Sequence, residues 1–144
     1  MTTRREAREI ALQALYQLDL TGDADPQAGL ALFWRHLQGG KDEDAFAREL
    51  VDGVRDNRER IDALIAASAE HWRLPRLSRV DLCLLRLATY ELMERDEIPA
   101  SVTIDEAIEI AGRFGSEDSP SFVNGVLDHI AGVLGVKEKR GGEE

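Results

Sequence analysis

The chain has 144 residues and carries 28 acidic side chains against 18 lysines and arginines, a formal net charge of −10 at pH 7. This balance excludes a uniformly basic nucleic-acid binder, because a basic face supplies most of the non-specific affinity for phosphates. The sequence has no apolar run of the roughly 20 residues that span a membrane, no signal-peptide core and only one cysteine. We therefore expect a cytoplasmic protein that does not contact a membrane.

Helical periodicity begins at the N-terminus. Thr3 and Glu6 have the spacing of a capping box, and the helix that they open is predicted to end at Thr21-Gly22. Asp25-Pro26 predicts the start of a second helix, whose apolar stripe stops at Gly39-Gly40.

The third and fourth predicted helices meet near Asn57. The third carries an apolar stripe from Phe46 to Val54, and the stripe of the fourth reaches Trp72, just before Pro75.

The next segment, Val80–Leu92, is apolar on every side, and we predict that it is a central buried helix. Ser78 and Asp81 have the spacing of a second capping box at its start. Ile98-Pro99 predicts a turn after it.

Two more helices complete the chain. Thr103 and Glu106 resemble a third capping box, and the stripe that follows runs to Phe114 and stops at Gly115 as a C′ residue. Ser119-Pro120 predicts the start of the last helix.

Convincing strand-like alternation is absent. We therefore predict an all-α fold of about seven helices. Residues 1–136 are expected to form a single helical domain, and residues 137–144, which include no apolar side chain, are expected to be a disordered tail.

No pattern of catalytic or metal-binding residues stands out. The acids Asp105, Glu106 and Glu109 lie close together, but no histidine follows a glutamate by three residues, as it does in di-iron helix bundles. Cys83 lies in the most apolar helix, where a thiol is usually an inert small hydrophobe. The sequence predicts neither an enzyme nor a cofactor.

The charges are nevertheless segregated along the chain. Between Trp72 and Arg86 there are four arginines and one acid, Asp81, whereas residues 91–118 carry nine acids and two arginines. Such segregation is compatible with solvated helix faces, or with one surface for a polyanion and another for a basic protein.

Three stretches resemble the NusB family. They are RREAREIALQALYQLDL, LSRVDLCLLRLATYEL and IDEAIEIAGRFGSEDSPSFVNGVLDHIAG, and the resemblance covers about residues 4–134. The last stretch is the most specific, because helix propensity alone does not explain FG-x-ED-x-x-x-FVNGVLD. The resemblance implies two three-helix subdomains that share a long central helix.

The resemblance also implies an RNA-binding transcription antitermination factor. Members of the family pair with the ribosomal protein NusE and bind the boxA element of single-stranded nascent RNA, chiefly in ribosomal RNA operons. The complex then joins the elongating RNA polymerase. An alternative is a helical protein-interaction module without specific RNA recognition, which self-associates as a homodimer.

Five residues match the family's RNA-binding positions. Arg4, Arg5 and Arg8 match the arginine-rich N-terminus, and Asp118 and Phe122 match positions near the last helix. Each also has a structural interpretation: the arginines as a solvated first turn, Asp118 as a helix cap, and Phe122 as part of the core.

Three residues are assigned to partner binding. Tyr16 and Asp81 match positions that the family uses to hold NusE, and Arg76 lies in the arginine-rich stretch around Asp81. The competing interpretation of Asp81 is that it completes the cap with Ser78.

Overall fold

The computed structural model describes residues 3–21, 34, 41–69 and 77–136. These residues form six α-helices: α1 (Arg4–Thr21), α2 (Lys41–Asp56), α3 (Arg58–Ser68), α4 (Arg79–Glu94), α5 (Ala100–Phe114) and α6 (Ser119–Leu134). No strand occurs among them, which confirms the predicted all-α class. The predicted second helix and the tail at 137–144 lie outside the described residues, apart from Trp34, which is helical.

Helix α4 is the centre of the arrangement. It packs against each of the other five described helices, while α1 pairs with α2 and α5 pairs with α6. Every residue from Cys83 to Leu92 is buried, including Arg86 and Glu91. The prediction of a central buried helix is thus confirmed, and its near-continuous apolar surface is the reason for its position.

One glycine allows a close approach between α2 and α4. A Cβ atom placed on Gly53 would lie 2.2 Å from Cε1 of Tyr90. The aromatic ring therefore occupies the space that any other residue at position 53 would need.

The predicted helix boundaries hold in part. Helices α2 and α3 meet at Asn57, as expected, and α6 begins at Ser119 with Pro120 in its first turn. The predicted capping box at Thr103 is wrong, because α5 already begins at Ala100 after Pro99. Thr103 is instead a buried residue of the helix interior.

The prediction that α5 ends at Gly115 is confirmed, but its assignment to the C′ position is wrong. Gly115 is the C-cap of α5 and has an extended backbone with φ −97° and ψ −165°. Among the described residues, the glycine that ends a helix in the left-handed conformation is Gly135, with φ 73°, at the end of α6.

No helix in the described ranges is long and apolar enough to cross a bilayer.

Candidate nucleic-acid interface

The N-terminal arginines are placed by a well-formed capping box. The backbone N–H of Thr3 donates to Oε1 of Glu6 at 2.6 Å, and the N–H of Glu6 donates to Oγ1 of Thr3 at 3.1 Å. This reciprocal pair, predicted from the sequence, fixes the first turn of α1 and with it the direction of the three arginines.

Arg8 faces the interior of the molecule. It is only 5% exposed, and its guanidinium donates two hydrogen bonds to the buried carboxylate of Glu91, at 2.7 and 2.8 Å. The hydroxyl of Thr103 lies 3.4 Å from Oε1 of the same carboxylate. Arg8 therefore joins α1 to the central helix and does not present its charge to solvent.

Arg5 lies between α1 and α5. Its guanidinium donates two hydrogen bonds to Glu106, at 2.7 and 2.9 Å, and Glu109 lies 3.9 Å away. The hydrogen bond to Glu106 raises the pKa of Arg5 above its usual value, and the same contact lowers the pKa of Glu106. A carboxylate of the same chain therefore pairs with the guanidinium group of Arg5, which the family resemblance assigns to RNA binding.

Arg4 is the most accessible of the three arginines. Its guanidinium carbon lies 4.8 Å from the centroid of the Phe46 ring, which Arg8 and Arg95 also approach, at 5.6 and 5.1 Å. Among the described side chains, no carboxylate forms an ion pair with Arg4. The ring holds this cation in place without neutralising it.

An open groove of about 520 Å³ lies beside these arginines. It is lined by Thr3, Arg4, Arg5, Arg8, Ile98, Val102 and Glu106. The apolar side chains come from the turn before α5 and from its first residues, so the groove combines guanidinium groups with an apolar wall.

A second cavity, of about 450 Å³, lies where α4, α6 and the α5–α6 turn meet. Its lining consists of Leu77, Ser78, Asp81, Ser116, Asp118, Ser119, Ser121 and Phe122. The structure therefore brings together Asp118 and Phe122, assigned to RNA, with Asp81, assigned to the partner.

Asp81 is 7% exposed, and its Oδ1 atom has no hydrogen-bond partner among the residues that the structure describes. Its backbone N–H donates to Oγ of Ser78 at 3.1 Å, so Ser78 caps α4 as predicted. A buried carboxylate oxygen normally has a partner, and the unpaired one lies at a cavity into which a donor could reach.

Asp118 occupies the N-cap position of α6, yet its side chain makes no capping hydrogen bond. Ser119 makes the local contact instead, because its Oγ accepts the N–H of Ser116 at 2.9 Å. The carboxylate of Asp118 is left at the surface of the cavity.

Three predicted contact residues remain: Phe122, Tyr16 and Arg76. Phe122 and Tyr16 are partly buried and pack against the core, so neither ring is sealed inside. Arg76 lies outside the described residues.

A seam of ion pairs between α1 and α5 was not predicted from the sequence. Arg5 meets Glu106, and one turn further along α1 Glu9 accepts a hydrogen bond from Arg113 at 2.6 Å. The partners are 101 and 104 residues apart. The spacing of charged residues along α1 and α5 indicates a charged face on each helix. It does not indicate that these two faces contact each other.

Chemistry for catalysis or metal binding is not apparent in the described parts of the chain. Groups of three or more potential metal ligands do not occur there. Cys83 is buried, and desolvation raises the pKa of its thiol to about 11, which suppresses the nucleophilic thiolate.

Comparison with known proteins assigns the family. Residues 5–132 match the model of the NusB family. The transcription antitermination protein NusB of Geobacter sp. (strain M21) is 48% identical over 146 residues, covering 96% of this chain and 100% of the relative. The protein of the same name from Geobacillus kaustophilus (strain HTA426) is 47% identical over 131 residues, covering 91% and 97%.

Solved structures agree with the sequence comparison. T. maritima NusB superposes with a TM-score of 0.81 at 45% identity, covering 91% of this chain and 92% of that one. A chain in a crystal structure of the antitermination factors NusB and NusE in complex with dsRNA gives 0.78 at 27% identity, covering 90% and 96%. The chain belongs to the NusB family of transcription antitermination proteins, which are not enzymes.

Proposed function

We propose that this protein is an adaptor that binds single-stranded boxA RNA together with NusE and joins the elongating RNA polymerase in ribosomal RNA operons. The observation that carries the proposal is the likeness of this chain to a chain in the solved structure of NusB and NusE in complex with dsRNA. Since transcription of these operons takes place in the cytoplasm, we place the protein there.

The proposed RNA contacts divide into two groups. Arg4 and Arg5 lie at the start of α1, beside the groove of about 520 Å³, and Asp118 and Phe122 line the cavity at the start of α6. Arg8 supports the first group through its buried ion pair with Glu91, which holds α1 in place. Arg4 is the strongest direct contact, because no described carboxylate pairs with its guanidinium, which can therefore bind phosphate at the lowest cost.

The proposed NusE contacts are Tyr16, Arg76 and Asp81. The argument is strongest for Asp81, whose buried Oδ1 atom lies at a cavity open to solvent and has no partner in the described parts of the chain. Leaving a charged oxygen unsatisfied is costly, so a basic side chain of the partner that donates to it would stabilise the complex.

The alternative is a helical interaction module that self-associates without recognising RNA. Glu106 and Glu9 of the same chain pair with Arg5 and Arg113, so these two arginines are partly neutralised as contacts for a second copy. We therefore rank the adaptor first and keep the homodimer as an outcome of the test.

The test is a fluorescence anisotropy titration of a boxA oligonucleotide with and without NusE, in parallel with a NusE pull-down. We expect Arg4→Ala to weaken RNA binding and leave the NusE interaction intact. Asp81→Asn should weaken NusE binding while the chain alone keeps its RNA affinity. Asp52→Asn, an exposed change on α2, serves as the matched charge control.

The adaptor proposal is wrong if the chain forms a dimer that does not depend on salt and does not bind boxA RNA, with or without NusE. That result would support the self-associating module.

A further inference from the structure

Phe114 is more exposed than its sequence position suggests. It continues the stripe of α5 that includes the buried Ala107 and Ala111, yet the residue is 40% exposed. The reason is local: α5 ends at this residue, and Gly115 turns the chain into an extended conformation, so no further turn covers the ring. A lone exposed apolar side chain is common and by itself indicates nothing.

The neighbouring Arg113 adds a second observation. Its guanidinium carbon lies 5.6 Å from the centroid of the Phe114 ring, and its Nη1 atom donates to Glu9 of α1. A guanidinium has five N–H donors in one plane. The contact with Glu9 therefore fixes the group beside the ring and leaves donors for a further acceptor.

The location of this pair relates it to the proposed RNA contacts. Glu9 lies one helical turn beyond Arg5, about 6 Å along α1. Two residues after Phe114 comes Ser116, which lines the cavity of Asp118 and Phe122. Arg113 thus contacts α1 one turn from Arg5, and Phe114 directly precedes the turn that lines the cavity of Asp118 and Phe122.

We propose that Phe114 and Arg113 form a nucleotide-binding step within the RNA site. The exposed face of the ring stacks on a base, and the guanidinium donates to a phosphate oxygen of the same strand. Aromatic stacking of this kind tolerates any base, because every base has a π-face. The proposal rests on the RNA-binding function proposed above.

The test uses a single-stranded boxA oligonucleotide with 2-aminopurine placed at one position at a time, titrated with the full chain plus NusE. Stacking on Phe114 should change the fluorescence at one position. Phe114→Ala should remove that change and weaken binding roughly tenfold, within the range of alanine substitutions at stacking platforms.

Two further substitutions separate stacking from simple burial. Phe114→Leu keeps apolar area but has no ring, and we expect it to resemble Phe114→Ala. Phe114→Trp keeps an aromatic ring and should therefore keep the fluorescence change that the wild-type chain shows. Val133→Ala is the matched control, because Val133 is 59% exposed near the far end of α6.

The outcomes separate the two proposals. If the wild-type chain with NusE binds RNA and Phe114→Ala binds equally well, or if Phe114→Leu keeps full affinity, the nucleotide-binding step is wrong and the adaptor stands. If the wild-type chain with NusE does not bind RNA at all, the adaptor fails and the step fails with it.

Discussion

Three arginines that form one motif in the sequence have three different environments. Arg4 and Arg8 are one helical turn apart, and both lie over Phe46, whereas Arg5 points about 100° away, toward α5. Burial then separates the first two, because Arg8 ends in the ion pair with Glu91 and Arg4 remains at the surface. Residue type alone therefore does not define an RNA contact.

This difference predicts the effect of single substitutions on stability. Arg8→Ala leaves the carboxylate of Glu91 buried and unpaired, so we expect it to lower the free energy of unfolding by about 3–5 kcal/mol. Arg4→Ala removes only an exposed cation–π contact and should cost less than about 1 kcal/mol. Urea denaturation followed by circular dichroism measures both.

The double variant Arg8→Met with Glu91→Leu is the control, since it removes both charges and should recover most of the loss. Equal costs for the two single alanine variants would contradict the assignment of Arg8 to the core.

The resemblance located the candidate residues but did not reveal their partners. Glu91 lies 83 residues from Arg8, and Glu106 lies 101 residues from Arg5. Periodicity reports which residues share a face of one helix, and it carries no information on which faces meet. For the same reason the exposure of Phe114 depended on where α5 ends.

At the scale of the helices, local signals were reliable at some boundaries and misleading at others. The boxes at Thr3 and Ser78 do cap their helices, because each hydroxyl accepts a backbone N–H. The same spacing at Thr103 is incidental, since Pro99 precedes the helix and Glu106 binds Arg5. A capping spacing therefore predicts a helix start only where the preceding backbone is not already helical.

The end of α6 offers a test with a matched pair of glycines. A Cβ on Gly132 meets no atom within 4 Å, so Gly132→Ala should stabilise the protein by about 0.5–1 kcal/mol through helix propensity. Gly135 has φ 73°, and Gly135→Ala should destabilise it by about 1–2 kcal/mol. Thermal and urea unfolding of both variants provide the measurement. Effects of the same sign would contradict this description of the helix end.

The seam between α1 and α5 predicts a dependence of stability on pH. The hydrogen bond from Arg5 holds the pKa of Glu106 below its ordinary value of 4.5. A carboxylate with a lowered folded-state pKa contributes stability above its unfolded pKa and loses it as the pH falls through the folded value. Unfolding free energy should therefore fall below about pH 4.5, and Glu106→Gln should make that fall shallower. An unchanged slope in Glu106→Gln would show that the contact adds nothing to folding.

For the whole molecule, the net charge of −10 and the internal ion pairs both weaken the electrostatic attraction of RNA. Acids in the described residues bind two of the three N-terminal arginines, and Glu9 binds Arg113. The overall field repels RNA, and of the proposed contact arginines in the described residues only Arg4 has no carboxylate paired with it. A basic partner at the Asp81 cavity would change this balance without any change in the fold.

This charge balance predicts the salt dependence of RNA binding. Each phosphate neutralised on a single strand contributes about −0.7 to the slope of log K against log salt. Glu106 competes with RNA for Arg5, whose side chain is 38% exposed, whereas the side chain of Arg113 is 59% exposed despite its contact with Glu9. With Arg4 and Arg113 as the main contacts and Arg5 as a weaker one, the chain alone should show a slope of about −0.7 to −1.4, measured by anisotropy over a salt series. Glu106→Gln releases Arg5 and should add about −0.7, and NusE should steepen the slope further. A wild-type slope of about −2.1 without NusE would mean that RNA engages three cations and that the internal acids do not compete with it.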